Sequence, residues 1–172
     1  MSFENSQKKV TKLEQIPDYS IILNDFGKVD YGDSYTITIS TNIYSVDKIT
    51  LDLFKTPRWI ELLSNLKDYI ANFFIEKKSD ENAVKLLFSV GSKLTFFSVV
   101  DRNQKEIVMG ENYKRLSFRI SVMAEQNVLN TNIYLSTIFH YNNLLGRLYL
   151  FLLKPFHRFY IKKRLKDYAN EI

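Results

Sequence analysis

A chain of 172 residues with 45% apolar, 25% charged and 15% aromatic residues suits one globular domain and excludes a disordered tail. It contains no cysteine, which removes disulfides, thiolate metal sites and thiol nucleophiles. The net charge of +5 is unevenly spread: from Gln126 to Lys166 there is no acidic residue, while Arg147, Lys154, Arg158, Lys162, Lys163, Arg164 and Lys166 supply seven positive charges.

The opening Met-Ser-Phe-Glu-Asn-Ser-Gln-Lys-Lys carries no apolar h-region. The longest apolar stretch, Leu148 to Leu153, is far short of the roughly 20 residues that span a bilayer. Both point to a cytoplasmic protein. Residues 1–16 are polar and expected to be loosely ordered, with one domain over residues 17–172. Ser34 to Thr41 alternates strictly and predicts a strand with Tyr35, Ile37 and Ile39 on one face. Ser45 to Phe54 has helical spacing, and Thr56-Pro57 matches an N-cap and first helical proline. The helix begun there would run to about Ile75, with Trp59, Leu62, Leu63, Leu66, Tyr69, Ile70 and Phe73 along one side. Lys77 to Asn82 is a polar connection.

The period then falls to two. Leu94 to Val100, apolar on both faces, predicts a central strand, and residues 101–104 a turn into a return arm from Glu106 to Gly110. Leu116 to Met123 alternates Leu116, Phe118, Ile120 and Val122 against Ser117, Arg119, Ser121 and Met123. Asn132 to Tyr141 alternates Ile133, Leu135, Thr137 and Phe139 against Tyr134, Ser136, Ile138 and His140. Asn143 to Ala169 is a long helix interrupted by Pro155, where a kink is expected. Strand, two helices, an antiparallel meander and a terminal helix make an α+β fold, with the last helix covering one face of the sheet.

Chemical motifs are sparse. There is no GxGxxG, GxxxxGK[ST], GxSxG or HExxH, so no standard phosphate loop, serine elbow or zincin site, and no catalytic residue, metal or cofactor is assigned. His140 reads either as a hydrogen-bonded histidine at the rim of the core or as the partner of Glu111 in an acid–base pair. Arg119 reads either as an outward arginine paired with a carboxylate or as an anion anchor in a cavity. Trp59 reads as a core anchor.

The terminal helix has two apolar faces, one with Phe156, Phe159 and Tyr160, the other with Ile161, Leu165, Tyr168 and Ile172. Core packing with snorkelling cations is the first reading of this segment and a homodimer contact the second. A membrane surface or nucleic acid ranks last.

Gly110-Glu111, Leu-Ser-Phe-Arg-Ile-Ser-Val at 116–122, Asn-Xaa-Xaa-Gly-Arg-Leu-Tyr at 143–149 and Lys-Pro-Phe-His-Arg at 154–158 occur in order. With Thr-Pro-Arg-Trp-Ile-Glu-Leu-Leu at 56–63, the chain resembles a bacterial family of unknown function, DUF2867, over roughly residues 17–168. Family members occur alone or behind a dehydrogenase-like Rossmann domain. The family is similar to START-like (SRPBCC) helix-grip proteins, so the resemblance implies a curved antiparallel sheet wrapped around the C-terminal helix, with a cavity between them. The expected function is binding of a small hydrophobic or amphipathic ligand there. Tyr35, Phe96, Phe118, Phe139 and Tyr149 are the apolar lining candidates and Glu111, Arg119 and His140 the polar ones. The alternatives are an enzyme acting on a polyketide-like or aromatic substrate in that cavity, and an interaction module using the basic helix.

Overall fold

A computed structural model describes residues 9–40, 45–54, 90, 93–94 and 97–172. The predicted second helix over 56–75 with Trp59, the connection over 77–82 and Phe96 lie outside the described residues. In chain order come β1 (Thr11–Lys12), a 3-10 turn (Ile21–Leu23), β2 (Tyr31–Ile39), α1 (Val46–Phe54), β3 (Lys93–Leu94) and β4 (Phe97–Arg102). They are followed by β5 (Glu106–Asn112), β6 (Leu116–Gln126), β7 (Thr131–Tyr141) and α2 (Leu144–Glu171). The seven strands form one antiparallel sheet in the order β1-β2-β7-β6-β5-β4-β3. Strand twist, with a register shift between Val99 and Asp101, curves it. This is the expected α+β, helix-grip arrangement.

Pairing register fixes the two faces. Tyr31, Asp33, Tyr35 and Ile37 of β2 stand opposite Phe139, Thr137, Leu135 and Ile133 of β7. The same β7 residues oppose Phe118, Ile120, Val122 and Ala124 of β6. This inner face is covered by both helices: α2 crosses β2 and β7, and α1 crosses β5 and β6. The main core lies between, with Tyr35, Ile49, Val122, Ile133 and Leu165 at 0% or 1% exposure. The burial repays the alternation: an inward Ile or Leu contributes roughly 1.5–3 kcal/mol.

Leu94 to Val100 is not one central strand. Leu94 pairs with Phe97 and Lys93 with Ser98, so the segment divides into two antiparallel strands at the sheet edge. An apolar run reads alike in a central strand and in a hairpin, because composition carries no reversal signal. Of the N-terminal segment, Thr11–Lys12 pairs with β2 and Ile16 packs with Ile22, Val108 and Ile138 on the outer face.

The N-cap of α2 is Asn143, whose Oδ1 accepts from the Gly146 amide at 2.9 Å. The helix continues through Pro155, so the expected interruption does not divide it. At the other end Arg164, 7% exposed, turns inward: its Nε donates to the Leu53 carbonyl at 2.7 Å and its Nη2 to the Asp52 carbonyl. It therefore caps the C-terminal turn of α1, where carbonyls lack helical partners.

Candidate functional site

On the inner face, beneath the middle of α2, a polar group interrupts the core. Asp33 is 4% exposed and pairs across the sheet with Thr137, which is fully buried. The Tyr31 hydroxyl donates to Asp33 Oδ2 at 2.6 Å and accepts from Arg158 Nε at 2.9 Å. From α2, His157 brings Nδ1 to 3.9 Å from the same carboxylate oxygen, and Arg158 Nε lies 4.0 Å from it. The His157 ring meets Phe139 edge-on at 5.3 Å, and Lys154 and Lys162 lie over the rings of Tyr31 and Tyr35 at 4.2 and 5.7 Å.

Four polar atoms here, Asp33 Oδ1, Tyr35 Oη, Thr137 Oγ1 and His157 Nδ1, are buried without a hydrogen bond of good geometry among the described residues, Tyr35 and Asp33 lying near enough for a weak one between them. Leaving such a group unpaired costs about 1–3 kcal/mol, so a cluster of them on an otherwise apolar face marks the place where a further hydrogen-bonding partner would gain most. Burial, reinforced by the bond to Asp33, pushes the Tyr31 hydroxyl up to about 12. Burial, together with the charge of Asp33 and a hydrogen bond to it, also raises Tyr35. Burial lowers His157 below its ordinary range despite the nearby Asp33, so its imidazole is neutral at neutral pH and can accept or donate one hydrogen bond. Together the four are one carboxylate oxygen, two hydroxyls and an imidazole, beside the rings of Tyr31 and Phe139.

The hydroxyl of Thr137 gives a direct check. Thr137→Val keeps the shape and removes an unpartnered polar atom, so it is expected to stabilise the fold by about 1 kcal/mol in urea denaturation. A loss of stability would mean that this hydroxyl is already satisfied in the folded protein.

The residues singled out from the sequence divide between the two faces. Tyr35 is at the centre of the polar group, and Phe139 forms its wall. Phe118 continues the aromatic row, its ring 6.2 Å from Phe139, and Tyr149 of α2 packs at the end of that row with Leu116 and Leu150. Burial raises the Tyr149 hydroxyl to about 12. Glu111 is engaged at the sheet edge, accepting from the Ser98 amide at 3.1 Å and the Ser98 hydroxyl at 2.7 Å.

Arg119 and His140 belong to the outer face. The Arg119 guanidinium donates to Asn112 Oδ1 and the Phe118 carbonyl and lies 5.1 Å over the Phe26 ring. His140 pairs with Asp30 at 2.6 Å rather than with Glu111. Asp33, Thr137 and His157 were not among the residues singled out. The signal for Asp33 is a carboxylate in phase with Tyr35, Ile37 and Ile39 on an apolar strand face. His157 lies inside the Lys-Pro-Phe-His-Arg segment.

Among the described residues, no group of three or more His, Asp or Glu side chains is placed to hold a metal ion. A shallow depression of about 500 Å³ opens on the outer face among Leu13, Pro17, Tyr19 and Tyr134. A family model described as a protein of unknown function, DUF2867, matches residues 26–164, a span that includes all four unpartnered groups. No curated protein and no solved structure matches the chain.

Proposed function

The chain belongs to the DUF2867 family, and from that premise we propose that it binds a small amphipathic molecule between the sheet and α2. The observation that carries this reading is the set of unpartnered polar atoms on Asp33, Tyr35, Thr137 and His157, enclosed by aromatic rings. Sites for small molecules are mostly apolar with a few convergent polar groups, and a helix-grip sheet offers that geometry, as in START-like ligand-binding proteins.

The chemistry narrows the ligand. Asp33 Oδ1 is an acceptor, so the ligand supplies a donor there. Arg158 and Tyr31 already offset the carboxylate charge, which favours a neutral hydroxyl over an ammonium group. The rings of Tyr31, Tyr35, Phe139 and His157 suit an aromatic body. Lys154 and Arg158 border this group at Tyr31.

Fluorescence titration with 2-naphthol, compared with 2-naphthoate, tests the reading. Saturable binding of 2-naphthol is expected, with the carboxylate analogue at least about tenfold weaker, since it would set two carboxylates together. Asp33→Ala should weaken 2-naphthol by about tenfold or more, the loss of one hydrogen bond to a charged acceptor. No saturable binding, or equal binding of both probes and of the variant, would overturn it.

A further inference from the structure

The side of α2 turned away from the sheet is apolar, and among the described residues none covers it. Leu145, Leu148, Phe151, Leu152, Phe156 and Phe159 are between 51% and 74% exposed. At 3.6 residues per turn they fall within an arc of about 140° and extend over about 21 Å of helix. The buried residues of the same helix, Leu150, Ile161, Leu165 and Tyr168, lie on the opposite side. The stripe contains no hydrogen-bonding side chain: the remaining positions in the arc, Leu144 and Pro155, are apolar as well. Isolated exposed apolar residues are ordinary, but a continuous band of leucine and phenylalanine is an interaction surface.

Its electrostatic setting is one-signed. Beyond Phe159 the same outward face continues as Lys162, Lys163 and Lys166, all exposed, with Lys163 bridged to Asp167 at 2.9 Å. The exposed Arg158 flanks the stripe, and the exposed Arg147 and half-buried Lys154 lie further round, toward the sheet, over Tyr141 and Tyr31. No acidic residue occurs in the helix before Asp167. A second copy of the chain would bring the same cations to the interface, which disfavours self-association. A fluid hydrocarbon surface with anionic headgroups complements both features: it needs no directional hydrogen bonds from the stripe, and it attracts the flanking cations. Among the described residues no helix is long and apolar enough to cross a membrane, so the helix would lie in the plane of the interface.

We propose that the outward face of α2 docks this protein on an anionic lipid surface, with the leucine and phenylalanine stripe in the acyl boundary and the lysines and arginines among the headgroups. The leucine and phenylalanine stripe stands apart from the ligand reading, which uses the opposite side of the same helix, while Lys154, Arg158 and Lys162 border both.

Flotation of the full chain with phosphatidylcholine vesicles, with and without phosphatidylglycerol, decides it. Binding is expected with phosphatidylglycerol, at least about tenfold stronger than with phosphatidylcholine alone, and weakening as salt rises. Phe151→Asp with Phe156→Asp should abolish it while the circular dichroism spectrum and melting temperature stay unchanged. If that variant fails to fold, the lipid and salt series on the native chain decides alone. Absence of binding to either vesicle overturns the proposal, as does equal binding to both. A concentration-dependent dimer in sedimentation, removed by the same variant and without vesicle binding, assigns the stripe to a second copy and overturns it too.

Discussion

Glu106→Ala is expected to destabilise the protein by about 3–5 kcal/mol, which corresponds to a melting temperature lower by roughly 10 °C. Glu106 is 1% exposed on the outer face and serves three donors at once. Its Oε1 accepts from the Ser20 hydroxyl at 2.6 Å and from the Ser121 hydroxyl, and its Oε2 accepts from the Ile21 amide at 3.0 Å. Ser20 in turn caps the 3-10 turn by accepting from the Ile22 amide at 3.3 Å. Truncation removes the acceptor and leaves buried donors facing a void, and an orphaned buried donor costs more than its bond contributes. The turn that seals Val108 and Ile138 would loosen with it. Glu106→Gln should recover part of the loss, because the amide keeps one acceptor oxygen. Urea denaturation of both variants measures this. A cost below about 1 kcal/mol for the alanine variant would show that Ser20 and Ser121 find other acceptors.

The second large effect is at Gly146. Replacing a helical glycine by alanine ordinarily stabilises a helix, by up to about 1 kcal/mol in the interior and less in the first turn. Here the added Cβ would run into the carbonyl oxygen of Arg115, which already accepts from the Asn142 amide at 2.9 Å. The first turn of α2 lies directly on the backbone joining β5 and β6, so neither side can yield cheaply. Relief requires moving the helix start, which would break the Asn142 bond and the Asn143 cap together. The clash outweighs the propensity, and Gly146→Ala is expected to lower stability by about 3 kcal/mol. A stabilised variant in thermal unfolding would show that the helix start shifts freely. Gly110 is held by the same logic, since a Cβ there would meet the Phe118 carbonyl and the Arg119 side chain.

These positions explain why short motifs were the informative part of the chain. In Asn-Xaa-Xaa-Gly, Asn143 caps the helix and Gly146 lets it approach the sheet. In Gly-Glu, Gly110 makes room for Arg119, and Glu111 ties two strands together at Ser98. Each motif residue answers a backbone requirement, which is why they signal a fold and supply no reaction.

The candidate site was less legible. Alternation had already separated Phe118 from Arg119 and Phe139 from His140, because neighbours in a strand point to opposite faces. By that parity Phe118 and Phe139 share the inner face while Arg119 and His140 cannot join them in one cavity. Asp33 escaped attention because a carboxylate at the start of a strand normally faces water. Its role emerges only from register, which places it opposite Thr137 and beneath His157.

The uneven charge belongs to the same account. Sequence alone located the excess positive charge in the terminal helix and gave that helix two apolar faces. Periodicity fixes which residues share a side, since it depends only on backbone geometry. It cannot say which side meets the sheet, because that is decided by strand pairing and by partners far along the chain. The tertiary structure made that choice: Ile161, Leu165 and Tyr168 went inward, Arg164 turned in to cap α1, and Phe156 and Phe159 were left facing out. So the sequence determined α1, α2, the strands β2, β5, β6 and β7, their faces and the uneven charge. Only the fold decided that one side of α2 brings His157 over the buried Asp33 while, among the described residues, none covers the other.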